Sequence, residues 1–498
     1  MPNPLKKLAG QTAIYGLSTV LPRFLNYLLV PLLTYKYTNP ADYGINSLIY
    51  AYISFLNIIV TYGMETAFFY FVNKRENKTI VYSTTLISLL STTSLFVLLG
   101  WFSSGFMANW LGYPNNVNFI KWMIFIIAID ALMAIPFARL RAENRPLKFA
   151  FIKITNIVVN LGIAFFFIHF CKNAYEEDLV NQTNSTLGKL YDPQIGIGYA
   201  FLANLVANLF SLLLLAKQFT GFAYTFDKKL WIEMFRYSLP LLVLGLAGMV
   251  NETFDRLILT KLLPADAGMH AQGVYSACYK ISILMTIFIQ AFKFAAEPFF
   301  FSHAKNEDSK KLNAVVMKYF VIFCSFLFLA TMLNLGWIKY FVNKNYWEGL
   351  SVVPILLLAN MFLGIYYNLS VWYKLTGQTK FGAFITIFGA VITLIINFAF
   401  IPKFSYMASA WATLASYGAM MIVSYFLSQK YYPTKYNIRN FVFFFGFSML
   451  FYFASLLWKG HFSNWLIELA LNNILLVIYC WLFIKFELPN LKKANVTG

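Results

Sequence analysis

A handful of ionisable side chains stand in stretches otherwise apolar enough to cross a bilayer, and any chemistry this chain performs starts with them. The stretch 237–263 carries Glu252, Asp255 and Arg256 in its outer half. About 20 apolar residues span the hydrocarbon, and an ionisable group there costs a few kcal/mol unless it faces protein, water or a partner. Glu252 and Arg256 are four apart and share a helix face, where they can partly neutralise each other, while Asp255 points elsewhere. Arg23 sits in the middle of another apolar stretch, 13–35, with no carboxylate within helical reach in its own span, so it needs a partner elsewhere or an anionic ligand. Lys280 lies about two turns into a later span and either snorkels, pairs with Glu252 or Asp255, or meets a ligand. Glu65, within Gly63-Met-Glu-Thr66, and Asp130 are further acids at depth. Either could take a proton or Na+, or neutralise Arg23. Two readings stay open: internal ion pairs that fix packing, or helices lining a polar path through the membrane.

Other chemistry finds little support in the pattern. Cys171, Cys278, Cys324 and Cys480 are scattered with no C-x-x-C pair, and the four histidines are isolated, so no metal site is expected. No nucleotide loop or nucleophile constellation occurs either, and the reading is of a protein with no cofactor and no enzymatic step.

The elements that must hold these residues follow from composition. With 59% hydrophobic, 19% aromatic and only 12% charged residues over 498 positions, and a mean hydropathy of +0.62, the chain belongs with polytopic membrane proteins. Residues 1–10 are short and basic, and the apolar stretch behind them is too long for a cleavable signal, so the first span is expected to stay as its own anchor. Apolar runs predict fourteen spans, at about 12–35, 44–72, 80–104, 118–138, 149–170, 195–216, 237–261, 273–296, 313–335, 351–372, 381–402, 406–427, 440–458 and 464–484. With both termini cytoplasmic, the inner segments hold 25 Lys and Arg and the outer segments 8, which obeys the positive-inside rule. The net charge of +19 is thereby explained without nucleic acid. Arg139, Arg141, Glu143 and Arg145 read as topology determinants that could also touch lipid headgroups, and Lys293 with Glu297 as a pair near the inner end of span eight. The longest outer loop, 171–194, is too short to be a folded domain.

An internal repeat organises the spans. Pro40-Ala-Asp-Tyr-Gly44 follows span one and Pro264-Ala-Asp-Ala-Gly268 follows span seven. Gly44-Ile-Asn-Ser47 then matches Gly273-Val-Tyr-Ser276, and Lys148-Phe149 matches Lys380-Phe381. Six spans fill one period, so the copies run parallel across the membrane, an arrangement that puts a transporter's substrate site between lobes. The expected division is an N-terminal six-helix lobe (1–216), a cytoplasmic interfacial linker helix (217–236), a C-terminal six-helix lobe (237–427) and two additional helices with a tail (428–498). The linker helix is expected because Leu230, Trp231, Met234 and Phe235 share one face and the charges the other. Prolines 22, 31 and 240 are hinge candidates, each removing a helical hydrogen bond. Gly245-Leu-Ala-Gly248 should let span seven approach a neighbour closely.

Six plus six plus two spans, the Pro-Ala-Asp-Tyr-Gly turn, the Ile135-Pro-Phe-Ala-Arg-Leu-Arg-Ala-Glu-Asn-Arg145 segment and the stretch from Tyr237-Ser-Leu-Pro240 to Asp255-Arg256 together resemble the Wzx-type polysaccharide and O-antigen flippases of the multidrug/oligosaccharidyl-lipid/polysaccharide (MOP) exporter superfamily. The resemblance implies an all-α, MATE- and MurJ-like fold. It also implies a flippase carrying an undecaprenyl-diphosphate-linked oligosaccharide from the cytoplasmic to the periplasmic leaflet of a bacterial inner membrane by alternating access. Arg23, Arg256 and Lys280 would then be cavity cations for the diphosphate, since Arg matches phosphate oxygens with a planar fork. Glu65, Asp130, Glu252 and Asp255 would couple ions or balance charge. The implied partners are the lipid-linked oligosaccharide, membrane lipids, a polysaccharide polymerase and glycosyltransferases. The alternatives are a cation-coupled drug exporter of the MATE type, whose cavity should be dominated by acid, a lipid II flippase, and a membrane polysaccharide polymerase.

Overall fold

The computed structural model describes residues 20–22, 24–111, 116–220, 224–303, 309–462, 464–487 and 489. Arg23 lies outside the described residues, although Pro22 beside it is helical. Among the described residues there are helices and no strands, and 13 helices are long and apolar enough to cross a membrane. They coincide one for one with spans two to fourteen, while Leu29–Lys36 is the described outer part of span one and contains Pro31. Among the described residues the fold is the all-α one that hydropathy calls for, with 13 of the expected spans in place.

Helix starts are set by local chemistry. Asn39 accepts from the Ala41 amide at 3.1 Å with Pro40 following it as the first helical residue, so the repeated turn doubles as an N-cap. Asp227 does the same for the seventh span, accepting from Lys229 and Leu230 at 2.9 and 3.0 Å. That cap corrects one expectation: residues 228–236 are not a separate in-plane helix but the first turns of one continuous helix, Lys228–Leu262. Leu230 and Met234 are buried against Phe68, Tyr82 and Leu86, and Trp231 and Phe235 pack around them. The apolar face seen in the sequence is real, and protein rather than lipid covers it.

The chain divides into two compact units, Met1–Ala277 with Thr386–Ala412, and Cys278–Ile385 with Thr413–Gly498. The cuts fall inside the helices Ala265–His303, Lys380–Phe404 and Tyr406–Tyr431 rather than at residues 217–236.

In the first unit, span four (Val117–Ala142) is the most deeply buried of the candidate spans, 72% of its apolar window being inside protein. Ile120, Ile124, Ile127 and Ala131 pack against Leu48, Ile49 and Phe201, and a helix apolar on every side belongs at the centre of its bundle. Spans two and eight cross where the repeat places its matched glycines. A side chain at Gly273 would lie 1.8 Å from the Pro40 carbonyl oxygen, and one at Gly44 would lie 2.4 Å from that of Met269. Gln272 donates to Ser47 beside the crossing at 3.0 Å. The equivalent residues of the two copies therefore meet each other, backbone against backbone. Gly245 also approaches a neighbour, 3.2 Å from Ile58 as judged by an added Cβ, whereas Gly248 faces open space.

In the second unit, span ten (Lys344–Leu375) is the central helix, 67% buried. Tyr366, Trp372, Tyr373 and Tyr417 form one aromatic core there, while Phe444 and Tyr479 attach the last two spans to Ile322 and Leu329 of span nine.

Candidate functional site

Span two is broken. Its helix runs from Pro40 to Thr61 and resumes at Met64, and the two residues between, Tyr62 (φ 32°) and Gly63 (φ 74°), are left-handed. A Cβ at Gly63 would sit 3.0 Å from the Ser238 carbonyl oxygen, so the break rests on span seven just ahead of Pro240. Two interruptions of helical hydrogen bonding thus meet at one level. Tyr62 Oη and Trp231 Nε1 both reach Ser88 Oγ at 2.6 Å, and the Tyr70 ring stacks on that of Tyr237 at 4.5 Å.

Beyond the break Glu65 opens the second half of the span, and its carboxylate pairs with Arg141. The Arg141 guanidinium also lies over the Phe69 ring at 4.8 Å. The neighbouring arginines are tied in as well: Arg139 to Glu143 at 2.7 Å and over Tyr82 at 4.5 Å, Arg145 to Glu143 at 3.2 Å, and Arg75 to Glu233 at 2.5 Å. One of the residues that read as topology markers, Arg141, is also the partner of Glu65. That pairing was not legible in the sequence, since loop charge counts carry no information about which acid a loop arginine meets.

Asp130, on the central helix, is half-buried and accepts from Asn208 Nδ2 at 2.9 Å. Asn156 in turn donates to Asn208 Oδ1 at 3.0 Å and to Ser211 Oγ at 2.9 Å, and Asn204 donates to the Tyr50 hydroxyl at 2.9 Å. Lys153, one turn before Asn156, is close enough to act on the Asp130 charge, and its Nζ lies 4.2 Å over the Phe137 ring. Spans two, four, five and six so contribute one connected polar strip to the first unit. Its amides and Lys153 were missed in the sequence because only the acids and a few cations were weighed at depth, although a lone lysine and three asparagines in apolar spans are themselves a signal.

The cluster in span seven differs from its expected form. Asp255 is buried and accepts from the Tyr275 hydroxyl at 2.6 Å and from the Arg256 amide at 2.8 Å. Glu252 is exposed, and what Arg256 Nη1 reaches at 3.2 Å is the Glu252 carbonyl oxygen, not its carboxylate. Nearby, Asn251 donates to the Thr386 carbonyl at 3.0 Å and accepts from Thr393 at 3.1 Å, joining spans seven and eleven. Lys280 belongs to the second unit and is half-buried. Lys293 lies over the Tyr367 ring at 4.7 Å, and the Glu297 side chain lies outside what is described.

Among solved structures, the chain is similar to the lipid II flippase MurJ in an inward closed conformation, with a TM-score of 0.70 and 15% identity over 95% of this chain and 98% of that one. It is also similar to an inward-facing MATE family transporter of the MOP superfamily, with a TM-score of 0.66 and 14% identity over 84% of this chain and 97% of that one. Likeness at such identity is likeness of fold, and the class it defines is a multi-pass membrane protein built on the fold of the MOP-superfamily transporters. A membrane protein of Methanocaldococcus jannaschii, MJ1375, is 23% identical over 244 residues, which are 45% of this chain and 55% of the relative, so the match spans about half of that protein. The sequence pattern of the polysaccharide biosynthesis proteins matches residues 8–303, and the chain belongs to that family.

Proposed function

We propose that the protein is a flippase that moves an undecaprenyl-diphosphate-linked oligosaccharide from the cytoplasmic to the periplasmic leaflet by alternating access, as a step in O-antigen, capsule or exopolysaccharide synthesis. It carries out no enzymatic step. The observation that carries this reading is the family match over residues 8–303 in a chain with a transporter fold. The membrane is the bacterial inner membrane, with both termini cytoplasmic, in keeping with 25 inner against 8 outer basic residues. Arg23, Arg256 and Lys280 receive the diphosphate, since cations replace its lost hydration in a low-dielectric cavity. Of the acids, Asp130 is the better coupling group for a proton or Na+, because Glu65 is closed into an ion pair with Arg141 while Asp130 accepts its hydrogen bond from a neutral amide and is acted on by Lys153 only through space. Its working partners are the glycosyltransferases that build the cargo and the polymerase that consumes it.

The test is complementation of a strain lacking the gene. Wild type restores surface polymer, and Arg23→Ala is expected to abolish it at normal protein abundance. Polymer unchanged in both the deletion strain and the Arg23→Ala strain overturns the cargo assignment. Polymer unchanged by the deletion, together with new sensitivity to cationic drugs, would establish the drug-exporter reading instead.

A further inference from the structure

The second unit contains a cavity of about 440 Å³ that the transport reading leaves unused. Met317, Val321, Ile365, Leu369, Met421 and Phe441 form its apolar wall, from spans nine, ten, twelve and thirteen. Its size falls in the range of small-molecule pockets, roughly 300–1,000 Å³. Water gains nothing in such a space, which offers too few polar partners to hold it. The wall continues outward through Ile422, Phe426 and Ile438, which are 51%, 66% and 51% exposed, so the cavity opens along an exposed apolar surface of the kind that lipid chains cover in a membrane-spanning bundle.

One end of the cavity is polar. Lys318 reaches it, and Glu487 matches that charge at 2.6 Å, with Asn440 donating to the other carboxylate oxygen at 2.5 Å. The cation on the wall is therefore already balanced. The short connection between spans twelve and thirteen supplies Tyr436, Asn437 and Ile438 to the lining, and exposed Lys435 and Arg439 stand immediately on either side of those three residues. An apolar slot whose lining residues Tyr436, Asn437 and Ile438 are flanked in the chain by two exposed cations is complementary to an amphiphile with a hydrocarbon tail and a negative head.

We propose that this cavity binds one acyl chain of an anionic phospholipid, phosphatidylglycerol or its dimeric relative, with the phosphate held by Lys435 and Arg439. A zwitterionic lipid fills the slot equally well but gains less at the cations, so selection rests on the head. Arg256 and Lys280 are not among its lining residues, and it does not depend on what cargo the protein moves.

The test uses the full-length chain purified in detergent, exchanged against phosphatidylglycerol or phosphatidylethanolamine, with retained lipid counted by native mass spectrometry. Wild type is expected to retain phosphatidylglycerol in preference. In the double variant Lys435→Ala/Arg439→Ala, whose side chains are exposed and whose fold should be undisturbed, retention should fall roughly tenfold towards the phosphatidylethanolamine level. Ala314→Phe, which places a ring in the cavity, should lower retention of both lipids. Equal retention of the two lipids by wild type, or retention unchanged in the double variant, overturns the proposal. So does retention of an added polyprenyl phosphate with none of phosphatidylglycerol.

Discussion

The central helices of the two units differ in the charge they carry at depth, and the difference sets a group that can change its state against one that cannot. Each has a central helix, span four in the first and span ten in the second, and each central helix carries a polar side chain at depth. In the first unit that residue is Asp130, a carboxylate facing Asn208. In the second it is Asn360, a neutral amide that reaches Ser282 at 3.4 Å. Glu65 with Arg141 and Asp255 with Tyr275 add further ionisable groups to the first unit. In the second unit, the ion pair of Lys318 with Glu487 lies where the last span ends and secures that span to span nine. A charge that can change its state is useful in a transport cycle, while a matched and buried pair is useful as a clasp.

The clasp gives the largest expected effect on stability. Glu487 is 2% exposed, and its removal leaves the Lys318 ammonium without its counter-charge in a mostly apolar place. Glu487→Ala is expected to cost about 3–5 kcal/mol, whereas the double change Lys318→Met/Glu487→Leu should recover most of it. Thermal unfolding in detergent, followed for the wild type, the single and the double variants, reads this directly. A single variant as stable as wild type would mean that the pair fastens nothing.

Next in size is the crossing of spans two and eight in the first unit. Gly273→Ala puts a methyl group 1.8 Å from a backbone oxygen that cannot rotate away, so the helices must separate. Overpacking of this kind costs about 1–3 kcal/mol, and a backbone obstacle favours the upper end. Gly248→Ala, with open space at its Cβ, serves as the control and should be neutral or slightly stabilising. If both substitutions behave alike, the crossing is not the tight contact described.

How much of this was legible in the sequence depends on the range of the interaction. Spans are properties of composition, and those from two to fourteen carried over to the structure one for one; the repeat's matched glycines, Gly44 and Gly273, turn out to meet at a helix crossing, which a sequence match alone does not say. The face of the helix that starts at Lys228 was legible too, but a hydrophobic pattern says that a face is covered and not by what, so a lipid contact was expected where Phe68 and Leu86 pack. The break at Tyr62-Gly63 was hidden because a lone glycine in an apolar helix is ordinarily tolerated. Arg141 with Glu65, and Lys318 with Glu487, lie far apart in sequence, and no helical spacing connects them. For Arg256 the spacing was right and the partner wrong: four residues place its guanidinium by Glu252, where the carbonyl rather than the carboxylate receives it.

The smallest expected stability effect decides most about the comparison. Asp130→Asn gives the first unit's central helix the neutral amide that the second unit already has. The new Oδ1 can still accept from Asn208, so the hydrogen bond survives. Removing a charge from membrane depth is favourable, while losing its attraction to Lys153 is not. The two contributions oppose each other, and the net change should stay within about 1 kcal/mol, the scale of one hydrogen bond. Transport should respond very differently. If Asp130 takes up and releases the coupling proton or Na+, an amide cannot replace it, and reconstituted transport is expected to stop or to lose its dependence on the ion gradient in a variant that folds normally. Transport that persists with the same ion dependence would reduce Asp130 to the packing role of Asn360. The asymmetry of charge between the two units would then reflect architecture alone.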